Sequence, residues 1–374
     1  MSILIGADIC PRVSYFDLFI NSRTDELLGE DLTKLLQTSD FNIFNLECPL
    51  ADKDSPIEKL GPSFRAPVAC ANGLKSMRVN LVTLANNHIK DQNVEGVRST
   101  IKALNDVGID YVGAGRNIEE ARQLYTHSIN GKTIGIYACA EHEFSIATQE
   151  LAGANPFDPL ESLEHIQRAR KNSDYLIVLY HGGNEHYRYP SPNLQKVCRK
   201  IVENGADLVV CQHSHCIGCK EKYLTGTIIY GQGNFLSTSK HNHECWKTSL
   251  LIEITDDLDV RYIPLMKEGY GVRIAAGDNA SKIMGDFENR SNEIQNIGFV
   301  EHTYKNFADN SLQGYIFSFT GMDTSIISRF LNKVSRGGFG IHKTQKIKRR
   351  KAVVYRDYIE CESHRELFLK GLEE

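Results

Sequence analysis

An α/β fold is what the sequence predicts, and three observations carry the prediction. Short apolar runs alternate with stretches of helical period from the N-terminus to about residue 210. Strands alternating with helices of about 10–15 residues are the sign of a layered α/β architecture. Asp, Asn, Glu and His recur immediately after the apolar runs, where open α/β sheets bind their ligands.

In chain order, the first strand is Ser2–Ala7, closed by Asp8, and Asp25–Gln37 follows with leucines at helical spacing. Phe41–Leu46 is the second strand, Ala69–Met77 a helix, and Asn80–Ala85 the third strand. Asn93–Val107 repeats aliphatic residues at helical intervals, and Ile109–Val112 is a short strand behind a glycine. Thr133–Ala138, Tyr175–Tyr180 and Asp207–Cys211 are rich in β-branched and aromatic residues; Leu160–Lys171 and Ser191–Asn204 are the helices between them. Beyond Cys211 the pattern turns hairpin-like, with runs Lys220–Leu224, Ile228–Tyr230, Leu250–Ile254 and Val260–Leu265. These predict an antiparallel addition, read as a second sheet packed on the first. From about Gly269 the texture becomes helical (Lys282–Gln295, Thr324–Ser335), which places one domain over residues 1–268 and a helical extension over 269–374.

Composition narrows the function classes. With 41% hydrophobic and 24% charged residues, the chain is globular rather than disordered, collagenous or coiled-coil. A net charge of −4 argues against a nucleic-acid binder, which shows a strongly basic domain. No apolar run approaches the roughly 18 residues of a spanning helix. The N-terminus lacks a basic segment and its apolar stretch is broken by Asp8, unlike a signal peptide. Ten cysteines lie mostly in apolar contexts, as buried free thiols do, and a cytoplasmic, reducing location is the expectation.

The polar strand ends carry the chemistry. Asp8, Asn45 with Glu47, Asn86-Asn87-His88, His181, and His213 with His215 close five of the expected strands. Taken singly, each has a structural reading: a satisfied core histidine, a turn asparagine, a strand terminus. Taken together they form a constellation on one edge. Carboxylate, amide oxygen and imidazole suit Mn, Fe or Zn better than Mg or Ca. A bridging carboxylate holds two such ions about 3.5–4 Å apart, and the pair generates hydroxide and clamps phosphoester oxygens.

In order along residues 2–265, the motifs GADI (Gly6–Ile9), NLECPL (Asn45–Leu50), FRAP (Phe64–Pro67), LANNHIKD (Leu84–Asp91) and GAGRN (Gly113–Asn117) are followed by HGGNEH (His181–His186), GADLVVCQHSH (Gly205–His215) and IIYGQGNF (Ile228–Phe235). This set resembles the capsule-synthesis CapA-type proteins of the calcineurin-like metallophosphoesterase superfamily. The resemblance implies a four-layer α/β/β/α sandwich with one or two divalent ions at one edge. Asp8 and His215 would bind the first ion; Asn87, His181 and His213 would bind the second; Glu47 would bridge. His88 would donate a proton to the leaving-group oxygen. Three positions depart from the superfamily pattern: Cys10 where a His is common, Glu47 where Asp is common, and Gln212 where another His is common.

Around this edge, Arg65 and Arg116 are the candidate substrate contacts, each offering a planar fork for phosphate or carboxylate. Glu185 and His186 are read either as orienting His181 or as a solvated loop. Asn234 is read as fixing a turn near the site. Cys216-Ile217-Gly218-Cys219 has the spacing of a zinc or redox pair, but without a second CxxC it reads as structural. Between Arg336 and Arg356 there are eight Lys/Arg and no acid, which reads as a solvated helix face or as peripheral contact with a membrane or polymer-synthesis complex.

The function expected is a metal-dependent hydrolase of phosphoesters using a metal-bound hydroxide, with an anionic small-molecule or polymer substrate tied by resemblance to capsule metabolism. Two rivals stand beside it: an amide hydrolase of γ-linked poly-glutamate, and a non-catalytic accessory subunit of a polymer-synthesis complex.

Overall fold

Fourteen strands build two sheets in the computed structural model, which describes residues 1–237, 244–322, 325–350 and 352–372. In chain order they are β1 Ile3–Ile9, β2 Phe41–Leu46, β3 Leu81–Thr83, β4 Asp110–Val112, β5 Tyr125–Ile129, β6 Lys132–Ala140 and β7 Tyr175–His181. There follow β8 Leu208–Gln212, β9 Lys220–Tyr223, β10 Gly226–Tyr230, β11 Asn234–Leu236, β12 Thr248–Ile254, β13 Val260–Glu268 and β14 Gly271–Ile274. The first sheet has the order β14-β13-β12-β1-β2-β3-β4, with β11 pairing the end of β1; the second has the order β9-β10-β8-β7-β6-β5.

Side-chain alternation explains the layering. Ile3 and Ile5 of β1 and Ile43 of β2 meet Ile177 and Leu179 of β7 and Val210 of β8 in one apolar layer between the sheets. Their neighbours point the other way. Leu4, Phe44 and Val82 pack on Leu28, Leu32, Val97 and Leu104 from the helices Thr24–Thr38 and Asn93–Val107. Val178, Tyr180 and Val209 pack on Ile166, Cys198 and Ile201 from Ser162–Lys171 and Pro192–Glu203. The result is the four-layer α/β/β/α sandwich, with both faces of each inner strand buried and hence near-continuous apolar runs.

The hairpin-like runs do not all join one antiparallel addition. β12 pairs antiparallel with β1 and with β13, so these runs extend the first sheet. Ile228–Tyr230 instead lies in β10, parallel to β8, with β9 antiparallel at the edge. The reason is burial: every residue of β10 is buried, which fits an inner parallel strand, whereas β9 carries Lys220 and Lys222 to the edge.

One irregularity positions the site. The pairing of β1 with β2 shifts register between Ile5 and Asp8. Strict alternation would send Asp8 to the helix side with Leu4. Ala7 and Ile9 occupy that side instead, so the shift turns Asp8 toward the space between the sheets. Gly6 sits within the shift, and a Cβ there would lie 2.0 Å from Cε1 of the buried Phe44 ring. Gly6→Ala is therefore expected to lose about 1–3 kcal/mol by overpacking. Denaturant unfolding measures it, and an unaltered midpoint refutes the packing argument.

Two units make up the described chain, Met1–Glu301 and His302–Glu374. The second is helical, with Ile326–Val334, Gly338–Arg350, Ala352–Glu360 and Glu362–Gly371. Among the described residues, no helix is long and apolar enough to cross a membrane. Thr324, at the start of one expected helix, and Lys351, within the basic stretch Arg336–Arg356, lie outside the described residues.

Candidate metal centre

The carboxyl ends of β1, β2, β7 and β8, with the turn after β3, deliver their polar residues to one buried point. Asp8 and Asn45 are neighbours in register, and His181 pairs with Gln212 at the ends of β7 and β8. His213 and His215 follow β8 with φ of 90° and 55°. That left-handed backbone is rare for non-glycine residues and clusters at functional sites, and here it lets both imidazoles face the same space.

The ligand atoms form two overlapping groups, Glu47 with His181 and His213, and Asp8 with Glu47 and His215. Glu47 belongs to both. Its Oε1 lies 3.5 Å from His181 Nε2 and 3.8 Å from His215 Nε2, and Asp8 Oδ2 lies 3.4 Å from His215 Nδ1. His181 Nε2 is 3.2 Å from His213 Nδ1 and 3.1 Å from Asn87 Oδ1. Six residues expected to converge do so.

The same point tests whether a cation fits. Asp8 Oδ2 and Glu47 Oε1 are buried with no hydrogen-bond donor. Buried carboxylate oxygens are costly unless bonded or bound to metal, and these two face the imidazoles. Burial, then Asp8, push the Glu47 carboxyl well above the usual carboxylate range. Burial, then the neighbouring imidazoles, push His181 well below its ordinary value and His213 down to about 3. Burial also opposes charge on His215, but its contact with Asp8 outweighs that and raises it. The imidazoles of His181 and His213, held neutral by burial, and that of His215 beside Asp8 form with the bare oxygens of Asp8 and Glu47 a donor set for divalent metals.

A surrounding network holds these groups in place. Asn45 Nδ2 donates to Asp8 Oδ1 at 2.8 Å and lies 3.3 Å from His181 Nδ1. Asn86 Nδ2 donates to Asn45 Oδ1 at 3.0 Å, and Asn234 Oδ1 lies 3.0 Å from His215 Nδ1. Asn234 thus touches a candidate ligand, as well as shaping its turn.

A cleft of about 1170 Å³ opens over this centre, with Glu47, Asn87, His88, His213 and His215 among its walls. His88 Nδ1 lies 2.7 Å from Asp91 Oδ2, and its ring stacks on Phe64 at 4.2 Å. The Nδ1 contact leaves Nε2 for chemistry. Burial lowers His88 below its ordinary value, against the opposing pull of Asp91. Lys59 Nζ in turn pairs with Asp91. On the opposite side the indole of Trp246 stacks on His215 at 5.0 Å, and its Nε1 donates to His186 Nε2 at 3.2 Å. His186 therefore neighbours His215 rather than His181.

Other candidates fall elsewhere. Arg65 donates to the carbonyls of Ala51 and Asp52 and pairs with Asp54, all on its own segment. Arg116 forks onto Glu120 and lines a separate cavity of about 560 Å³. Neither lines the cleft. Cys10 lies in the helix-side apolar cluster, hydrogen-bonded to Cys48. Gln212 Nε2 donates to Gln232 Oε1 at 3.3 Å and to the Gly6 carbonyl at 3.4 Å, and Gln212 belongs to neither ligand group. Cys216 and Cys219 are both free thiols, and Cys219 packs in the core of the second sheet, so the CxxC spacing does not make a pair. Sequence reasoning left Asp91 unassigned and omitted Lys59, Arg12 and Trp246. The three-residue spacing from His88 to Asp91 was the available signal; the others reach the cleft only through the fold.

A family model described as Bacterial capsule synthesis protein PGA_cap matches residues 11–239. The chain is 29% identical over 227 residues to "Capsule biosynthesis protein CapA" of Bacillus anthracis, covering 58% of this chain and 55% of that protein. It is 27% identical over 213 residues to "PGA biosynthesis protein CapA" of Bacillus subtilis (strain 168), covering 54% of each. The chain thus spans about half the length of the curated relatives it matches. A solved structure described as a novel phosphatase from Mycoplasma pneumoniae is similar at 14% identity and a TM-score of 0.44, covering 72% of this chain and 94% of that one.

Proposed function

The chain belongs to the bacterial capsule synthesis protein PGA_cap family, and from that premise we propose that it is a metal-dependent hydrolase of phosphoesters in capsule-polymer metabolism. The observation that carries this reading is Glu47, shared between two buried ligand groups with its Oε1 bare. Asp8, Glu47 and His215 would hold one ion; Glu47, Asn87, His181 and His213 would hold the other. With these residues holding divalent Mn, Fe or Zn, the chemistry supplied would be Lewis acidity, toward water and toward phosphoryl oxygens.

The protein's own groups supply the rest. Asn45, Asn86 and Asn234 aim the ligands. His88, oriented by Asp91 through Nδ1, presents Nε2 to the leaving-group oxygen as proton donor. Phe64 and Trp246 close the sides of the cleft and limit water around the reacting bond. The relatives' link to a capsule polymer supports the second reading, in which the same centre cleaves an amide in a γ-linked poly-glutamate chain.

Removal of metal is the direct test. Chelation is expected to abolish hydrolysis of phosphomono- and phosphodiesters, and Mn, Zn or Fe to restore it. Each ion at 100 times its Kd should also stabilise the fold by about 2.7 kcal/mol, read as a rise in Tm. Protein that cleaves no ester with any of these metals overturns the phosphoesterase reading, and shortening of γ-linked poly-glutamate in that case supports the amide reading.

A further inference from the structure

Every base that the sequence or the cleft offers for substrate is engaged by a protein acceptor, except one. Arg65 is tied to Asp54 and two carbonyls, Arg116 to Glu120, and Lys59 to Asp91. Arg12 follows β1 directly, lines the cleft, and makes no ion pair or hydrogen bond from its side chain among the described residues. Its guanidinium instead lies over the Phe64 ring, 4.0 Å from the centroid. Such a contact holds an arginine in place while leaving its edge N–H donors open.

The column continues inward. Phe64 stacks on His88 at 4.2 Å, so Arg12 is separated from the expected proton donor by one aromatic layer. Among the other groups lining the cleft are Glu47, Glu143 and Glu185, which repel anions unless cations are bound. An anionic group entering here is therefore drawn to two places: the metal centre and Arg12.

We propose that Arg12 anchors a second anionic group of the substrate, a carboxylate or phosphate one ring-layer away from the bond that breaks. The proposal rests on the hydrolase reading and deepens it: the substrate class is a molecule with at least two anionic groups in sequence, rather than an isolated phosphate. The planar fork suits either anion, because both offer paired oxygens.

Calorimetry on the metal-loaded full chain tests this with four probes: inorganic phosphate, pyrophosphate, tripolyphosphate and a γ-linked glutamate hexamer. At least one multi-anionic probe is expected to bind the unmodified chain more tightly than phosphate. Arg12→Ala should weaken that probe at least ten-fold more than it weakens phosphate. Arg12→Lys, which keeps the charge and stem but loses the fork, should recover part of the loss and guards against misfolding. Which probe responds identifies the source of the anion. Equal weakening of all probes, no weakening, or no multi-anionic probe binding better than phosphate overturns the anchor. Because the readout is binding, a chain that hydrolyses nothing but loses the oligoanion on Arg12→Ala would sink the hydrolase reading and leave the anchor standing.

Discussion

Glu47→Gln empties both halves of the centre at once, whereas Asp8→Asn or His181→Ala empties one. Glu47 is the residue common to the two ligand groups, and its Oε1 accepts no hydrogen bond from the protein. Loss of a partner outside the ligand set already costs about 10–100-fold in metal affinity, so loss of the shared ligand is expected to exceed 100-fold. Elemental analysis of dialysed protein reads the stoichiometry. The apo protein should respond in the opposite sense. Glu47 titrates higher in the fold than in the unfolded chain, because burial and Asp8 disfavour its charge. Stability is then lost as pH rises above the ordinary carboxylate range, and at neutral pH the metal-free fold carries that penalty. Metal-free Glu47→Gln is expected to melt higher than the metal-free parent, and the order to reverse when metal is added. A Gln variant that retains both ions would remove the bridging role.

His88→Ala has the second large effect, on turnover rather than on metal. General acid catalysis contributes about 10²–10⁴-fold, so kcat should fall by that factor on esters with alkyl leaving groups. The fall should be much smaller with 4-nitrophenol, which departs without a proton. Metal content should stay at the parental level, since His88 is absent from both ligand groups. Asp91→Asn should follow the same leaving-group pattern, because the 2.7 Å contact with Nδ1 sets which nitrogen faces the cleft. Equal losses on both kinds of ester would assign His88 to structure.

How far the centre was legible depended on chain distance. Asp8, Glu47, Asn87, His88, His181, His213 and His215 each follow an apolar strand, and strand ends within one sheet share an edge. That rule needs no coordinates, although the packing of the first sheet on the second is what brings the β1–β3 ends to those of β7 and β8. Arg65 and Arg116 were read from local motifs, and local motifs do not say which acceptors compete for a guanidinium. Asp54, on the same segment as Arg65, and Glu120, one helical turn from Arg116, take both. Arg12 went unread for the converse reason: its partner Phe64 is distant in sequence, and only packing brings the ring beneath it.

The order of apolar runs and polar ends is enough by itself to specify a layered α/β fold with carboxylates and imidazoles at strand ends, because alternation and strand direction are periodic properties of the chain, while the packing of the two sheets brings those ends together. Tertiary structure alone decided three further matters. The register shift in β1 turned Asp8 inward against the strand's own periodicity. β10 entered the second sheet parallel to β8 rather than as a hairpin arm. Unlike Arg65, Arg116 and Lys59, Arg12 has no side-chain hydrogen bond or ion pair among the described residues. Each is settled by contacts between residues remote in sequence, where steric fit and competing acceptors, not local pattern, set the outcome.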